Sequence, residues 1–289
     1  WDTPHVLLHE SVDEKIKRFE HWAVRLAVEA AEKILKKCRT RPTEIDALFV
    51  STCTGYLCPG VSSYVSQQIG LPDNIYTLDL VGLGCAGALP ALRAADDYLH
   101  RYPDSNVLVI AVEICSAAIH WAQKPELILS NAIFSDGAAA VLLTNRAKIF
   151  GFKINSISSV LWPQFRDELR FKYLDSRLCN VISPKTTEIV SQALGALDGL
   201  PKGSGKHGYA FHSGGRKILD AIQERLHLSD EEMLPSRQIL RDYGNMSSPS
   251  VLFVLKEILN QGLRDKHPVT CFSFGAGFLA SILRGEWQA

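Results

Sequence analysis

Apolar residues follow two periods along the chain. In "EKIKRFEHWAVRLAVEAAEKILKKC", Ile16, Phe19, Trp22, Leu26, Ala30 and Ile34 recur every three or four positions, which predicts a long amphipathic helix. Short apolar runs then alternate with helical stretches. "DALFVST" reads as a strand, followed by the turn "CTGYLCPG" and the helical "SSYVSQQIG". "IYTLDLVGL" reads as a strand leading into the helix "ALPALRAADDYLHRY", and "NVLVIAVEIC" and "NAIFSDGAAAVLLT" read as two more strands. Residues 147 to 183 break the rhythm, with "IFGFKINSISSVLW" and "ELRFKYLDSRLCNVIS" predicting a hairpin of longer strands. Alternation resumes with helix "TTEIVSQALGAL", the loop "DGLPKGSGKHG", strand "YAFH", helix "RKILDAIQERL", the stretch "ILRDYGN", helix "SPSVLFVLKEILNQ" and strand "VTCFSFGAG". The class is α/β.

The two halves of this pattern can be superposed. A strand ends at Cys53-Thr54-Gly55, and 32 residues later Cys85 opens a helix; a strand ends at His212-Ser213-Gly214, and 33 residues later Asn245 precedes a helix. The closing elements "FSDGAAAVLL" and "SFGAGFLASIL" correspond as well. An internal duplication is the economical reading, with chance similarity among helix–strand repeats as its alternative. It divides the chain into residues 1–146 and 147–289. Related strand ends in such sheets carry their loops to a common crevice.

Composition narrows the function. The 289 residues carry 31 basic and 31 acidic side chains, so no field favours a polyanion, and nucleic acid is set aside. "NVLVIAVEIC" is broken by Glu113 and is too short to span a bilayer. The start "WDTPHVLLHE" has no basic stretch followed by an apolar core, so no signal peptide is expected. Seven scattered cysteines form no C-x-x-C pair and no zinc spacing, so reduced thiols in a cytoplasmic protein without metal are expected.

The chemistry gathers at three positions. Cys85 follows a strand and opens a helix, where unpaired N–H groups and the dipole favour an anion, and a thiolate is the nucleophilic form of cysteine. Gly84 and Gly87 allow a sharp turn and close approach. A buried, inert thiol is the alternative. His212 is either a satisfied core imidazole or the partner of a thiol. Asn245 is either a helix cap or a neutral donor for a developing oxyanion. Together they suit decarboxylative thioester chemistry: the cysteine holds an acyl group, while His and Asn donors stabilise the enolate left when a malonyl unit loses carbon dioxide.

"GLGCAGALPALRAADDYL", "NAIFSDGAAAVLL", "YAFHSGGRKILDAI", "LRDYGNMSSPSVLFVL" and "SFGAGF", in order, resemble the type III polyketide synthases, the chalcone-synthase-like enzymes of the thiolase superfamily. The resemblance runs from about residue 11 to the C-terminus. It implies a duplicated αβαβα sandwich, a homodimer, and coenzyme A thioesters as substrates with no further cofactor. It implies Cys85 as acyl carrier, His212 and Asn245 as thiolate partner and oxyanion donors, Phe134 as gatekeeper, and Ser247 beside the catalytic site. "TGYLCPG" resembles a loop that reaches the neighbouring subunit's cavity, with Cys58 at its tip, and Cys53 matches a position that is also cysteine in some bacterial members; the resemblance implies both as cavity walls. Cys115 and Ala118 fall where the family tunes cavity width, and the small Ala118 implies a roomy cavity or an acyl channel.

Some features depart from the family. Its "GFGPG" reads "SFGAG" here, with Ala276 in place of proline. "HSGG" and "LRDYGN" lean toward bacterial members. The family's N-terminal strand and helices, with basic residues near the CoA phosphates, are expected to be missing ahead of residue 11. Arg216 and Lys217 are weak phosphate-binding candidates, equally readable as a solvated face. The rival readings are a 3-oxoacyl-carrier-protein synthase III-like enzyme of the same fold and a catalytically silent dimer.

Overall fold

Ser11 starts the first helix, Val12–Cys38, through a capping box. Its Oγ accepts from the Glu14 N–H at 3.2 Å, and the Glu14 carboxylate accepts from the Ser11 N–H at 2.7 Å. This belongs to a computed structural model that describes residues 10–119, 125–146, 151–174, 177–196, 203 and 207–288. The expectation of missing N-terminal elements falls on the chain's start, and residues 1–9 lie outside the described residues, as does most of the "DGLPKGSGKHG" loop.

The buried stripe of this helix differs from the predicted one. Phe19, Ala23, Ala27, Ala31 and Leu35 face the core, whereas Trp22, Leu26 and Ile34 pack at its margin and Ile16 is 48% exposed. Alanines let a helix backbone approach a sheet closely, so the small residues take the central face and the larger ones flank it.

Ten strands are present among the described residues: β1 Ala47–Thr52, β2 Tyr76–Val81, β3 Asn106–Glu113, β4 Gly137–Thr144, β5 Gly151–Leu161, β6 Leu169–Leu174, β7 Arg177–Ile182, β8 Gly208–Phe211, β9 Pro268–Gly275 and β10 Leu279–Gln288. They form one sheet of order β2-β1-β3-β4, a second of order β5-β10-β9-β8, and the separate pair β6-β7. β1 is parallel to β3, and β4 returns antiparallel; β8 is parallel to β9, and β10 returns antiparallel. Both sheets therefore repeat one motif, a parallel pair followed by an antiparallel return strand.

Side-chain alternation sets the layers. Phe49 and Val109 point to a central core that also takes Ala210 and Cys271 from the second sheet, with Leu89 and Leu92 from helix Ala88–Arg101 and Val251, Leu252 and Leu255 from helix Ser250–Leu259. Leu48, Val50 and Ile110 point outward onto Ala23, Ala27 and Val65, covered by helices Val12–Cys38 and Val61–Ile69. Phe211, Phe272 and Ile282 face helices Thr186–Ala196 and Arg216–Leu226. Helix, sheet, helix, sheet, helix is the five-layered thiolase-like arrangement.

Two local expectations are corrected, and one stretch left without an element is placed. β5 does not pair with the segment after it; it pairs antiparallel with β10, and β6 and β7 make a hairpin of their own. "NAIFSDGAAAVLLT" is not strand throughout, because helix Pro125–Ile133 runs through its first residues and β4 begins at Gly137. "ILRDYGN" completes helix Asp230–Tyr243, whose start is capped by Ser229 with Glu232.

Candidate active site

Cys85 sits in a single 3-10 turn, Gly84–Ala86, which passes through Gly87 into helix Ala88–Arg101. Two glycines make that turn possible. Gly84 has φ 57°, and a Cβ on Gly275 would lie 2.4 Å from the Ala86 nitrogen and 2.9 Å from the Cys85 nitrogen. The "SFGAG" loop thus packs backbone to backbone on the nucleophile's turn, and Ala276 lies against Gly84. Burial pushes the Cys85 thiol up to about 12; a hydrogen bond with Ser247 works in the opposite direction, and the Glu113 charge adds to the rise. Burial thus works against the thiolate that the place near a helix head favours.

β8 runs out at Phe211 and delivers His212, whose backbone N–H donates to the Phe272 carbonyl at 2.8 Å. Its ring meets Phe274 edge to face at 5.2 Å, and burial lowers it to about 3. The imidazole is therefore neutral at pH 7. Its Nδ1 has no hydrogen-bond partner, and no hydrogen bond joins it to Cys85 among the described residues.

Asn245 follows helix Asp230–Tyr243 and is tied to the segment carrying Phe134. Its N–H donates to Ile133 O at 2.8 Å, and its carbonyl accepts from Ser135 N at 2.9 Å, a parallel bridge centred on Phe134. The side-chain Oδ1 accepts from the Ser247 N–H at 2.8 Å, which leaves Nδ2 as a donor turned toward Gly214 O, 3.5 Å away. Ser247, held at φ 60°, puts its hydroxyl against Cys85 and 3.6 Å from the Cys53 Sγ. A continuous series of contacts thus runs from Cys85 through Ser247 and Asn245 to Gly214 and His212. Cys53 lies on its edge.

Sequence reasoning missed Glu113, noticed only as a charge interrupting an apolar run. It is fully buried at the end of β3. Its Oε2 accepts from Cys53 N at 2.9 Å, Thr54 N at 3.1 Å, Thr54 Oγ1 at 2.9 Å and Thr52 Oγ1 at 3.4 Å, and its Oε1 accepts from Ser248 Oγ at 2.6 Å and Cys53 Sγ at 3.3 Å. Burial raises this carboxyl's pKa, while the Ser248, Cys53 and Thr54 donors counteract the rise. Glu113 therefore anchors both loops that flank Cys85. The signal was a lone carboxylate in an otherwise apolar strand, since such a group persists only when donors converge on it.

The remaining predicted positions divide. Cys115, Ala118 and Phe134 line one pocket with Ile119 and Phe171. The pocket is narrow, with a volume of about 10 Å³, roughly one water molecule. Ile119 and Phe171 line it beside the small Ala118. Cys58 is exposed, apart from the cluster. Arg216 is 88% exposed and only 3.9 Å from Asp220, on the solvated face of its helix, and Lys217 beside it is exposed too. Among the described residues, no group of three or more His, Cys, Asp or Glu side chains could hold a metal ion, and no helix is long and apolar enough to cross a membrane.

The chain is similar to known proteins. The family described as "FAE1/Type III polyketide synthase-like protein" matches residues 2–151, and "Chalcone and stilbene synthases, C-terminal domain" matches residues 168–282. The chain is 28% identical to a 3,5-dihydroxyphenylacetyl-CoA synthase of Streptomyces toyocaensis over 278 residues, covering 91% of this chain and 71% of that protein. It is 27% identical to the 1,3,6,8-tetrahydroxynaphthalene synthase of Streptomyces coelicolor, covering 98% and 77%. The crystal structure of a tetrahydroxynaphthalene synthase from Streptomyces coelicolor superposes with a TM-score of 0.90 at 23% identity, over 99% of this chain and 84% of that one. That of a brown algal enzyme, PKS-I of Ectocarpus siliculosus, superposes with a TM-score of 0.89 at 26% identity, over 99% and 80%.

Proposed function

The chain belongs to the FAE1/type III polyketide synthase-like family and condenses malonyl-CoA onto CoA-derived starters, and we propose that Cys85, His212 and Asn245 perform the condensation. Cys85 Sγ attacks the starter's thioester carbonyl as its proton passes to His212, and the CoA thiolate leaves with that proton. This gives the acyl-cysteine. Malonyl-CoA then binds with its thioester oxygen against Asn245 Nδ2 and the neutral His212 N–H. The carbon–carboxylate bond breaks, carbon dioxide departs, and the electron pair moves into an enolate held by those donors. The enolate carbon attacks the acyl-cysteine carbonyl, and the Cys85 sulfur leaves. Further rounds and ring closure to a pyrone, resorcinol or related aromatic complete the reaction.

The observation that supports this assignment best is the locked amide: Asn245 Oδ1 is occupied by the Ser247 N–H, so Nδ2 is the end offered to substrate. A neutral His212 fits the same task, since it donates without carrying a charge that would need a partner. The test is carbon dioxide release from malonyl-CoA. Equal release from the parent and from the double variant Cys85→Ala with Asn245→Ala would overturn the assignment, as would turnover only with malonyl carrier protein.

Homodimerisation and the division at residues 146 and 147 belong to the same reading. The repeated sheet motif supports two halves. The edge strand β2 supports a dimer: Tyr76 and Val81 are 50% and 52% exposed there, whereas its neighbour β1 is fully buried. Light scattering tests this, and a monomer at micromolar concentration would count against it. A cytoplasmic location belongs to the same reading.

A further inference from the structure

Two basic side chains near the start of the first helix are buried, against the ordinary behaviour of Lys and Arg. Both act on one short turn. Arg18 Nη2 donates to the Ser116 carbonyl at 2.9 Å and pairs with Glu10 at 2.5 Å, and Lys15 Nζ donates to the Ile119 carbonyl. From the other side, Asp136 accepts from Ser116 N at 2.7 Å and from Ser116 Oγ at 2.6 Å. Asp136 is also near enough for its charge to act on Arg18. The gripped segment is the 3-10 turn Cys115–Ala118 and the residue after it.

This turn forms one wall of the narrow pocket. Cys115, Ala118 and Ile119 line it, together with Phe134 and Phe171. Asp136 lies two residues beyond Phe134, whose backbone is bridged to Asn245. The ion pair and its hydrogen bonds therefore fix the turn's distance from Phe134 and tie it to the segment that carries the catalytic amide. A pocket this small admits an acyl chain only if a wall moves. Moving it means breaking buried, charge-assisted hydrogen bonds, which are the strong kind.

We propose that the Glu10–Arg18–Ser116–Asp136 clamp is a specificity-determining element, which holds the turn Cys115–Ala118 inward and restricts the enzyme to short acyl starters. The proposal rests on the function assigned above. Arg18 and Asp136 are positioning residues in it; they touch the turn and not the substrate.

The experiment compares parent, Arg18→Met, Arg18→Lys and Ser116→Ala, with two readouts. Carbon dioxide release from malonyl-CoA alone reports the catalytic centre. The ratio of kcat/KM for octanoyl-CoA to that for acetyl-CoA reports the wall. Release within about twofold of the parent, with the ratio raised at least tenfold in Arg18→Met, is the expected result. Arg18→Lys, which keeps a buried cation and a donor, should return most of the parental ratio. Ser116→Ala removes one Asp136 bond with little risk to folding and should raise the ratio about threefold or more. An unchanged ratio in Arg18→Met and Ser116→Ala overturns the clamp. Where Arg18→Met fails to fold, Ser116→Ala alone decides. Loss of release in the parent overturns the functional reading instead, so the two failures are distinct.

Discussion

Glu113 offers a sharp quantitative prediction, because opposing effects meet on one carboxylate. Burying it costs several kcal/mol on the scale of ions taken out of water, roughly offset by the donors around it. Replacing it with alanine recovers the burial cost but leaves the Cys53 and Thr54 N–H groups without acceptors, along with a void the size of a carboxyethyl group. An orphaned buried donor costs about 1–3 kcal/mol, and the Thr and Ser hydroxyls can turn to other partners only in part. Glu113→Ala should therefore lose about 3 kcal/mol. Glu113→Gln retains the shape and can keep its carbonyl oxygen where four of the donors converge, so it should lose only about 1 kcal/mol. Urea unfolding followed by tryptophan fluorescence, at one fixed protein concentration, measures both. The reasoning fails if alanine costs no more than glutamine, since the backbone donors would then not depend on this side chain.

Four further outcomes are expected. Cys85→Ala abolishes product formation, while His212→Gln and Asn245→Ala slow malonyl-CoA decarboxylation by roughly a hundredfold each, on the scale of a lost oxyanion donor; full activity in any one refutes its role. His212 is lowered to about 3 in the folded protein, against an ordinary 6.5, so the unfolded chain takes up its proton first and stability is lost as pH falls through that window. From pH 7 to pH 5 its share of that loss is about 2 kcal/mol. Urea midpoints should show the loss in the parent, and His212→Gln should lessen it by that amount. Gly275→Ala drives a methyl group into the Cys85 turn and should reduce acyl-cysteine formation, read by mass spectrometry of the intact protein, far more than Gly262→Ala at an open surface turn, where stability alone suffers.

Much of this was legible in the sequence because it depends on local rules. A glycine-flanked cysteine after a strand marks a tight turn whatever surrounds it, and the paired spacings set Cys85 and Asn245 each ahead of a helix, with His212 at a strand end. What escaped was set by distant partners. β5 looked like half of a local hairpin, yet its hydrogen bonds go to β10, more than a hundred residues on. Nothing in residues 151–161 encodes that choice. The first helix buried Ala23, Ala27 and Ala31 rather than Trp22 and Leu26, because closeness to the sheet favours small side chains over greasy ones. Glu113 stayed hidden because its meaning lies in Thr52, Cys53, Thr54 and Ser248, residues from two other segments. The pocket beside Ala118 is also lined by Phe171, which enters from a hairpin that carries none of the family's motifs.

The protonated state of Cys85 also governs how the protein ages. Peroxide and other electrophiles attack thiolates, and a sulfur whose pKa is pushed up to about 12 exposes almost none of that form at neutral pH. Unlike a low-pKa sensor cysteine, it does not advertise its charge to small oxidants between turnovers. Reactivity is released only when a proton acceptor and a thioester coincide in the same dry crevice. The burial that disfavours the thiolate thus also disfavours the first rung of the oxidation ladder.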